Sequence, residues 1–350
     1  MGVIGFSDAP GYKGEAILIA RVGANAGTTN IVSGKYGVTD NTIILRLKPD
    51  CYLPFFFRQL ENKRLNRLVY GSGQPLITGS QLKSLTVSVP EPDEQRAIAA
   101  ALSDVDALLL KLDQLIAKKR DVKWATMHDL LTGTTRLSGF GGKWPEKLLG
   151  ELFTFSGGYS ASRAQLSDEG YCYLHYGDIH TSSKTTVDTR ADRQTIPKLN
   201  IPLNQISSAS LLDDGDVVFV DASEDDEGTS KHVVVVNKDK VPFISGLHTI
   251  VAKSRTDELV HQYRRYCFQS AAIKKQFFFY AVGTKVSGIS KTNIGKLTLP
   301  VPTAAEQQAI AEVLADVDAE IAAIEARRDK TRLLKQGMMQ ELLTGRIRLV

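Results

Sequence analysis

Cys172, His175 and His180 stand at a spacing that could begin a metal site. A zinc centre needs four converging donors, and no fourth ligand lies nearby. Alternation along a strand would also turn Cys172 and His175 to opposite faces, so no metal is expected. The run Glu224-Asp225-Asp226-Glu227 could gather Mg²⁺ for phosphodiester hydrolysis. No Lys-bearing catalytic strand motif accompanies it, and a solvated loop tip is the expectation. Methyl transfer to adenine would need an Asn/Asp-Pro-Pro-aromatic tetrapeptide to hold the base, yet the chain has no Pro-Pro dipeptide. Gly71-Ser72-Gly73 follows a helix-like stretch, not the strand that a methyl-donor turn requires. No Gly-x-x-x-x-Gly-Lys loop is present to cradle ATP. The residues assemble no catalytic constellation, and no cofactor is expected.

The elements that carry these residues are those of an ordinary globular chain. Its 350 residues suffice for two or more domains, and the apolar share of 43% and charged share of 23% fit that class. Cys51, Cys172 and Cys267 are odd in number and scattered, which reads as reduced thiols and a cytoplasmic protein. No apolar run reaches the ~20 residues of a membrane span. The start MGVIGFSDAPGYKG shows no secretory signal, and Phe6 breaks a myristoylation pattern. The net charge is +4, and the excess lies mainly in residues 1–89, with ten cations against five carboxylates. Such a bias permits phosphate contact without demanding it.

The strongest pattern is a repeat. Residues 94–137 and 306–349 match at 20 of 44 positions at a constant offset of 212, from Glu94-Gln95 and Glu306-Gln307 to the two LLTG closures. Ile98, Leu102, Val105, Leu109, Leu112 and Ile116 step by four and three. Ile310, Leu314, Val317, Ile321 and Ile324 do so in the second copy. That is the a/d seam of a coiled coil. Pro92 and the box Thr303-Ala-Ala-Glu306 mark helix starts, and Gly133 and Gly345 mark stops. About 40 residues at 1.5 Å each make a rod of ~60 Å. Two similar seams are expected to meet each other antiparallel, about a pseudo-twofold axis.

Residues 138–301 read as a β-rich domain with a few helices: CYLHYGDI at 172–179, DVVFVD at 216–221, HVVVVN at 232–237 and a late helix over 259–277. Residues 1–89 repeat the second part of that plan. AILIARVGANAGT at 16–28 resembles DVVFVDASEDDEGT at 216–229, and SLTVSVP at 84–90 leads into its helix as KLTLPVP at 296–302 does. Residues 143–210 have no counterpart. The expected division is therefore 1–89, 90–137, 138–301 and 302–350.

These features together resemble the DNA-specificity subunit of type I restriction-modification systems, over nearly the whole chain. They are the IP/VP lead-ins, the Glu-Gln pairs, the D-V-D of both helices, the LLTG closures and the opening WPEKLLGELFTFSGGYSASR at 144–163. The resemblance implies an α+β fold. Two β-rich target-recognition domains would be joined by two long helices that form an antiparallel coiled coil, with an internal pseudo-twofold repeat. It implies a non-catalytic subunit that reads a bipartite, asymmetric site in double-stranded DNA. Two modification (methyltransferase) subunits would dock on the helices, restriction subunits would join through that core, and no membrane would be involved. Against the family plan, a full first domain would carry an opening W…LG element like that at 144–150, and roughly 65–70 residues are missing. The alternative is a recognition-defective or self-pairing form that acts as a coiled-coil adaptor.

Base reading needs Arg or Lys for guanine and Asn or Gln for adenine, while phosphate contacts only position the protein. The expected contacts in the first domain are Arg21, Asn25, Gln74, Thr78 and Ser80. In the second they lie in two polar loops, through Tyr159, Ser160, Ser162 and Arg163 and through Lys285 and Ser287. Lys231 and Lys291 are expected on phosphates. Polar positions repeated on the helices, Gln95 with Gln307 and Asp106 with Asp318, are the expected docking residues.

Overall fold

The computed structural model describes residues 5–6, 8, 10–71, 74–182, 184–223, 230–283 and 287–349. It forms two compact units, residues 1–117 with 322–350, and residues 118–321. Each unit takes a share of both long helices, Pro92–Thr132 and Ala304–Leu342. The compact division thus falls inside the helices.

In unit 1, β1 (Ala16–Ala20) lies between β2 (Thr29–Val32) and β3 (Thr42–Leu45), antiparallel to both. The run AILIA is apolar at every position, and all five residues are buried. Strand alternation sends Ile17 and Ile19 to one face, where they meet Leu53 and Leu60 of α1 (Leu53–Lys63) with Leu65 and Ile77. The β1–β2 turn depends on Gly27. Its φ is +85°, and a Cβ there would lie 2.6 Å from the backbone nitrogen of Asn66.

In unit 2 the corresponding sheet has five strands. These are β4 (Phe153–Gly157), β5 (Thr186–Asp188), β6 (Val217–Val220), β7 (His232–Val236) and β8 (Thr249–Ser254), in the order β5-β7-β6-β8-β4. Its centre, β7-β6-β8, corresponds to β2-β1-β3 of unit 1, and the two outer strands come from the segment without a counterpart. All of β6 is buried. Val217 and Phe219 face α2 (His261–Cys267) and α3 (Ala271–Tyr280), while Val218 and Val220 face a second core. Beyond that core a smaller sheet orders Phe243–Ser245, Tyr171–Leu174, Lys198–Leu199 and Leu166–Ser167.

Two local expectations change. The late helix is two helices, because Ser270 caps a fresh start by accepting from the Ile273 N–H. The run 172–179 is a strand only to Leu174. His175 Nδ1 then accepts the Gly177 N–H at 3.0 Å and opens the helix Tyr176–Thr181, which contains His180. Residues 298–300 pair with Glu146–Leu148, whereas 84–90 form no strand. Unit 1 has no described counterpart of residues 146–148 to pair with them.

Within each unit the helix segments run antiparallel. In unit 1, Glu94 bonds Arg348, Asp106 bonds Lys335 at 2.6 Å, and Asp113 faces Arg328 and Arg332. In unit 2, Lys123 meets Asp318 at 2.6 Å and Lys119 meets Glu320 at 2.6 Å. The offset of 212 maps Asp106–Lys335 onto Asp318–Lys123 and Glu94–Arg348 onto Glu306–Arg136. Ile98, Leu102, Leu112, Ile116, Ile310, Leu314 and Ile321 are buried at the seam. Val105, Leu109, Val317 and Ile324 are half-buried. Half-exposed ion pairs are each worth about 0–1 kcal/mol, so the seam supplies stability and the charges select register.

Candidate nucleic-acid interface

The central strand of each unit ends in the same backbone frame. In unit 1 the Arg21 N–H donates to the Asn41 carbonyl and the Ile77 N–H to the Arg21 carbonyl, both at 2.8 Å. In unit 2 the Asp221 N–H donates to the His248 carbonyl at 3.1 Å, and the Ile289 N–H donates to the Asp221 carbonyl at 2.8 Å. Tyr70 and Leu76 exchange a pair of backbone bonds, as Val282 and Gly288 do. Thr78 and Ser290 then cap the short helices Gly79–Lys83 and Lys291–Ile294. Main-chain bonds build this frame in both units, so side-chain identity is free to vary along it. Arg21, a double donor suited to guanine, stands where unit 2 has Asp221, an acceptor suited to the cytosine amino group.

In unit 1 the frame brings all five expected contacts to the end of β1. Gly23 donates to the Pro75 carbonyl, which ties the turn carrying Asn25 to the segment carrying Gln74. Arg21, Asn25, Gln74 and Ser80 are exposed. Thr78 is engaged within the chain, where its Oγ1 accepts the Gln81 N–H and donates to Gln81 Oε1 at 2.9 Å. Thr78, expected as a DNA contact, here serves as a helix cap.

In unit 2 the loop after β4 is fixed by close backbone approach. A Cβ on Gly158 would lie 1.8 Å from the Gly246 carbonyl oxygen, so only glycine fits there. Tyr159 N donates to the Ser245 carbonyl, and the Tyr173 hydroxyl donates to the Tyr159 carbonyl at 2.8 Å. Ser160 is exposed. Ser162 is spent as a cap on Gln165, with its hydroxyl donating to Gln165 Oε1 at 3.0 Å. Arg163 pairs with Asp178 Oδ1 at 2.9 Å and lies 3.2 Å from His175 Nδ1. Burial, and then the Arg163 charge, hold the His175 pKa below its usual value. Lys231 donates to the His180 carbonyl, and half-buried Ser287 pairs with Ser223 in a short ladder. Lys291 is exposed, and its Nζ lies 3.6 Å from where a Cβ on Gly157 would stand, at the root of the loop. Lys285 lies outside the described residues, as does the acidic run 224–227.

Sequence reasoning missed Asp178, Asp221 and His248. Asp178 Oδ2 is buried with no hydrogen-bond partner among the described residues, and His248 Nδ1 stands 3.3 Å from Asp221 Oδ1. The signal was available only by aligning Asp221 with Arg21. No group of three or more His, Cys, Asp or Glu among the described residues could hold a metal ion. No described helix is long and apolar enough to cross a membrane.

The expected docking glutamines are corrected. Gln95 is 1% exposed and Gln307 is 0% exposed, so neither offers a surface. Gln95 Oε1 accepts the Tyr52 N–H at 2.8 Å while its amide donates to the Asp50 and Pro90 carbonyls. Gln307 does the same with the Val260 N–H and the Glu258 and Pro302 carbonyls. Each locks the start of a long helix to the head of a shorter helix earlier in the chain. Asp106 and Asp318 are partly exposed but engaged. Asp106 accepts from Arg58 at 2.5 Å and Lys335, and Asp318 accepts from Lys123 and from the Tyr266 hydroxyl at 2.9 Å.

A sheet unit written twice, with variable polar loops at matching strand ends and two self-pairing helices, defines the class. Residues 2–119 and 142–333 match the family Type I restriction modification DNA specificity domain, and the chain belongs to that family. It is 24% identical to the Type I restriction enzyme MjaVIII specificity subunit of Methanocaldococcus jannaschii, over 95% of this chain and 79% of that one. It is 29% identical to the Type I restriction enzyme EcoprrI specificity subunit of Escherichia coli, over 31% of this chain and 27% of that one. The fold is similar to the crystal structure of a type I restriction-modification system S subunit from M. genitalium. The TM-score is 0.57 at 17% identity, with 97% of this chain and 86% of that chain covered.

Proposed function

We propose that this chain is a non-catalytic DNA-specificity subunit that directs type I modification and restriction subunits to a bipartite, asymmetric target in double-stranded DNA. The observation that carries the reading is the duplicated frame. One scaffold, built by the same main-chain bonds, presents Arg21 in one unit and Asp221 in the other. Two copies of one reader with different reading groups suit a site with two unlike halves. The paired helices act as the spacer that sets the distance between those halves. One modification subunit docks on each helix copy, and restriction subunits join through that core. Val122 and Leu334, exposed apolar residues at corresponding positions of the two copies, support a duplicated docking face. The subunit works in the cytoplasm, where the DNA is.

The test is co-expression with the neighbouring modification subunit, followed by mapping of methylated adenines across the host genome. A split motif with two different halves is expected, and Arg21→Ala should relax one half only. Methylation with no split motif, from an assembled complex, overturns the reading.

A further inference from the structure

Unit 2 carries a feature that base reading by polar groups does not need. At the end of α3, Phe277 is buried, while Phe278, Phe279 and Val282 are 63%, 77% and 75% exposed. Neighbouring large apolar side chains held in water mark an interaction surface. Their surroundings identify the partner. From Leu259 to Ala305 the chain holds seven Lys and Arg residues and no carboxylate. Of these, Lys274, Lys275, Lys291 and Lys296 are exposed. A protein surface would be matched by mixed charge, whereas exposed lysines around exposed rings, on a segment without carboxylates, fit a polyanion with stackable faces.

The aromatic end is joined to the expected reading face. Asn293 Nδ2 donates to the Tyr280 carbonyl at 3.4 Å, and Lys296 Nζ lies 5.9 Å from the centroid of the Tyr280 ring. The short helix that holds Asn293 begins at Lys291, which reaches Gly157. The mutual backbone bonds of Val282 and Gly288 place the same end beside the frame. We propose that Phe278 and Phe279 form a wedge that inserts at a base step of the half-site bound by unit 2, with the lysines holding the flanking phosphates. This rests on the proposed function and adds DNA deformation to it. Apolar wedges of this kind partly unstack a step and kink the duplex. Phe277 anchors the helix end in the core, so the rings are presented rigidly and little ordering is required on binding. The device belongs to one half only. At the offset of 212, Phe277 corresponds to buried Leu65, but Phe278 and Phe279 correspond to Asn66 and Arg67.

The experiment uses the complex with its modification subunits and a cognate duplex carrying 2-aminopurine at successive steps of either half-site. Away from the adenines that the modification subunits extrude, wild type should raise the fluorescence at one step of the unit 2 half and at none of the unit 1 half. Phe278→Ala/Phe279→Ala should abolish that rise and weaken binding ten- to hundredfold with an unchanged salt slope. Phe279→Trp should retain the rise. Lys274→Ala/Lys275→Ala should instead reduce the salt slope by about 2. Unchanged binding and fluorescence in the double Phe variant overturn the wedge while the proposed function stands. Loss of modification-subunit binding by that variant also overturns it, since the face would then dock protein. A wild-type complex with no sequence-selective binding overturns the proposed function itself, and the wedge with it.

Discussion

Replacing Arg136 by Met tests the most buried charge in the helix pairing. The Glu306 side chain is 1% exposed and receives two bonds from Arg136, at 2.5 and 2.7 Å, and one from Trp144 Nε1 at 2.9 Å. The Arg136 guanidinium also lies 4.9 Å from the centroid of the Trp144 ring. Removing one partner of a buried ion pair leaves an uncompensated charge and costs about 3–5 kcal/mol. The remaining Trp144 bond relieves part of this, so about 3 kcal/mol is expected. The double variant Arg136→Met/Glu306→Met should cost less than Arg136→Met alone, because the stranded carboxylate is gone. The symmetry mate behaves differently. Arg348 is 56% exposed beside Glu94, so Arg348→Met should have a much smaller effect, screened by water. Trp124 and Trp144 are both in unit 2, so Trp144 fluorescence in a Trp124→Phe background reports that unit during guanidinium unfolding. A loss below about 1 kcal/mol for Arg136→Met would refute the argument. So would a double variant as destabilised as the two single effects added.

Other perturbations give distinct outcomes. Leu102 and Leu314 are both 0% exposed at the seam, and Leu102→Asp/Leu314→Asp should part the helices and abolish assembly. Normal genome methylation by that variant would defeat the spacer role. His232 is buried against Phe219 and Phe268, and burial lowers its pKa from 6.5 to about 4. A depressed histidine contributes stability that is complete above pH 6.5 and is lost as pH falls toward 4, roughly 3 kcal/mol in all. His232→Phe should flatten that part of a stability–pH profile, and an unchanged profile would show that the ring is not the titrating group. Val122→Asp and Leu334→Asp should each remove one modification subunit, read by mass photometry. Two subunits retained in both single variants would place the docking face elsewhere.

The repeat was legible because both helices meet the same kinds of neighbour, and twenty shared residues preserve that meeting. The central strands were legible because AILIA and VVFV are buried on both faces and admit no polar residue. The role of Gln95 and Gln307 was not legible. Polar residues repeated on a helix look like surface, and only the fold brings Asp50 and Glu258 within reach of their amides. His175 reads as a strand residue because capping depends on a single backbone turn at Gly177, which periodicity does not register. The division into units was hidden for another reason. Each half of a long helix belongs with whatever packs on it, and that is a property of contacts across more than 200 residues of chain.

The two units separate what must stay from what may change. The parts that match are backbone bonds, buried apolar strands and helix caps, and all of these tolerate any outward side chain. The parts that differ sit on that frame: Arg21 against Asp221, Tyr70 against Val282, Asn66 and Arg67 against Phe278 and Phe279. Donor is exchanged for acceptor at one position, and polar groups for aromatic rings at another. Under the proposed function, a reader built this way can acquire a new half-site by substitution at the rim alone, since the frame in both units is held by main-chain bonds. The helices obey the opposite rule. Asp106–Lys335 and Asp318–Lys123 are kept as a pair of pairs, because each fixes the antiparallel register of the helix segments in its own unit.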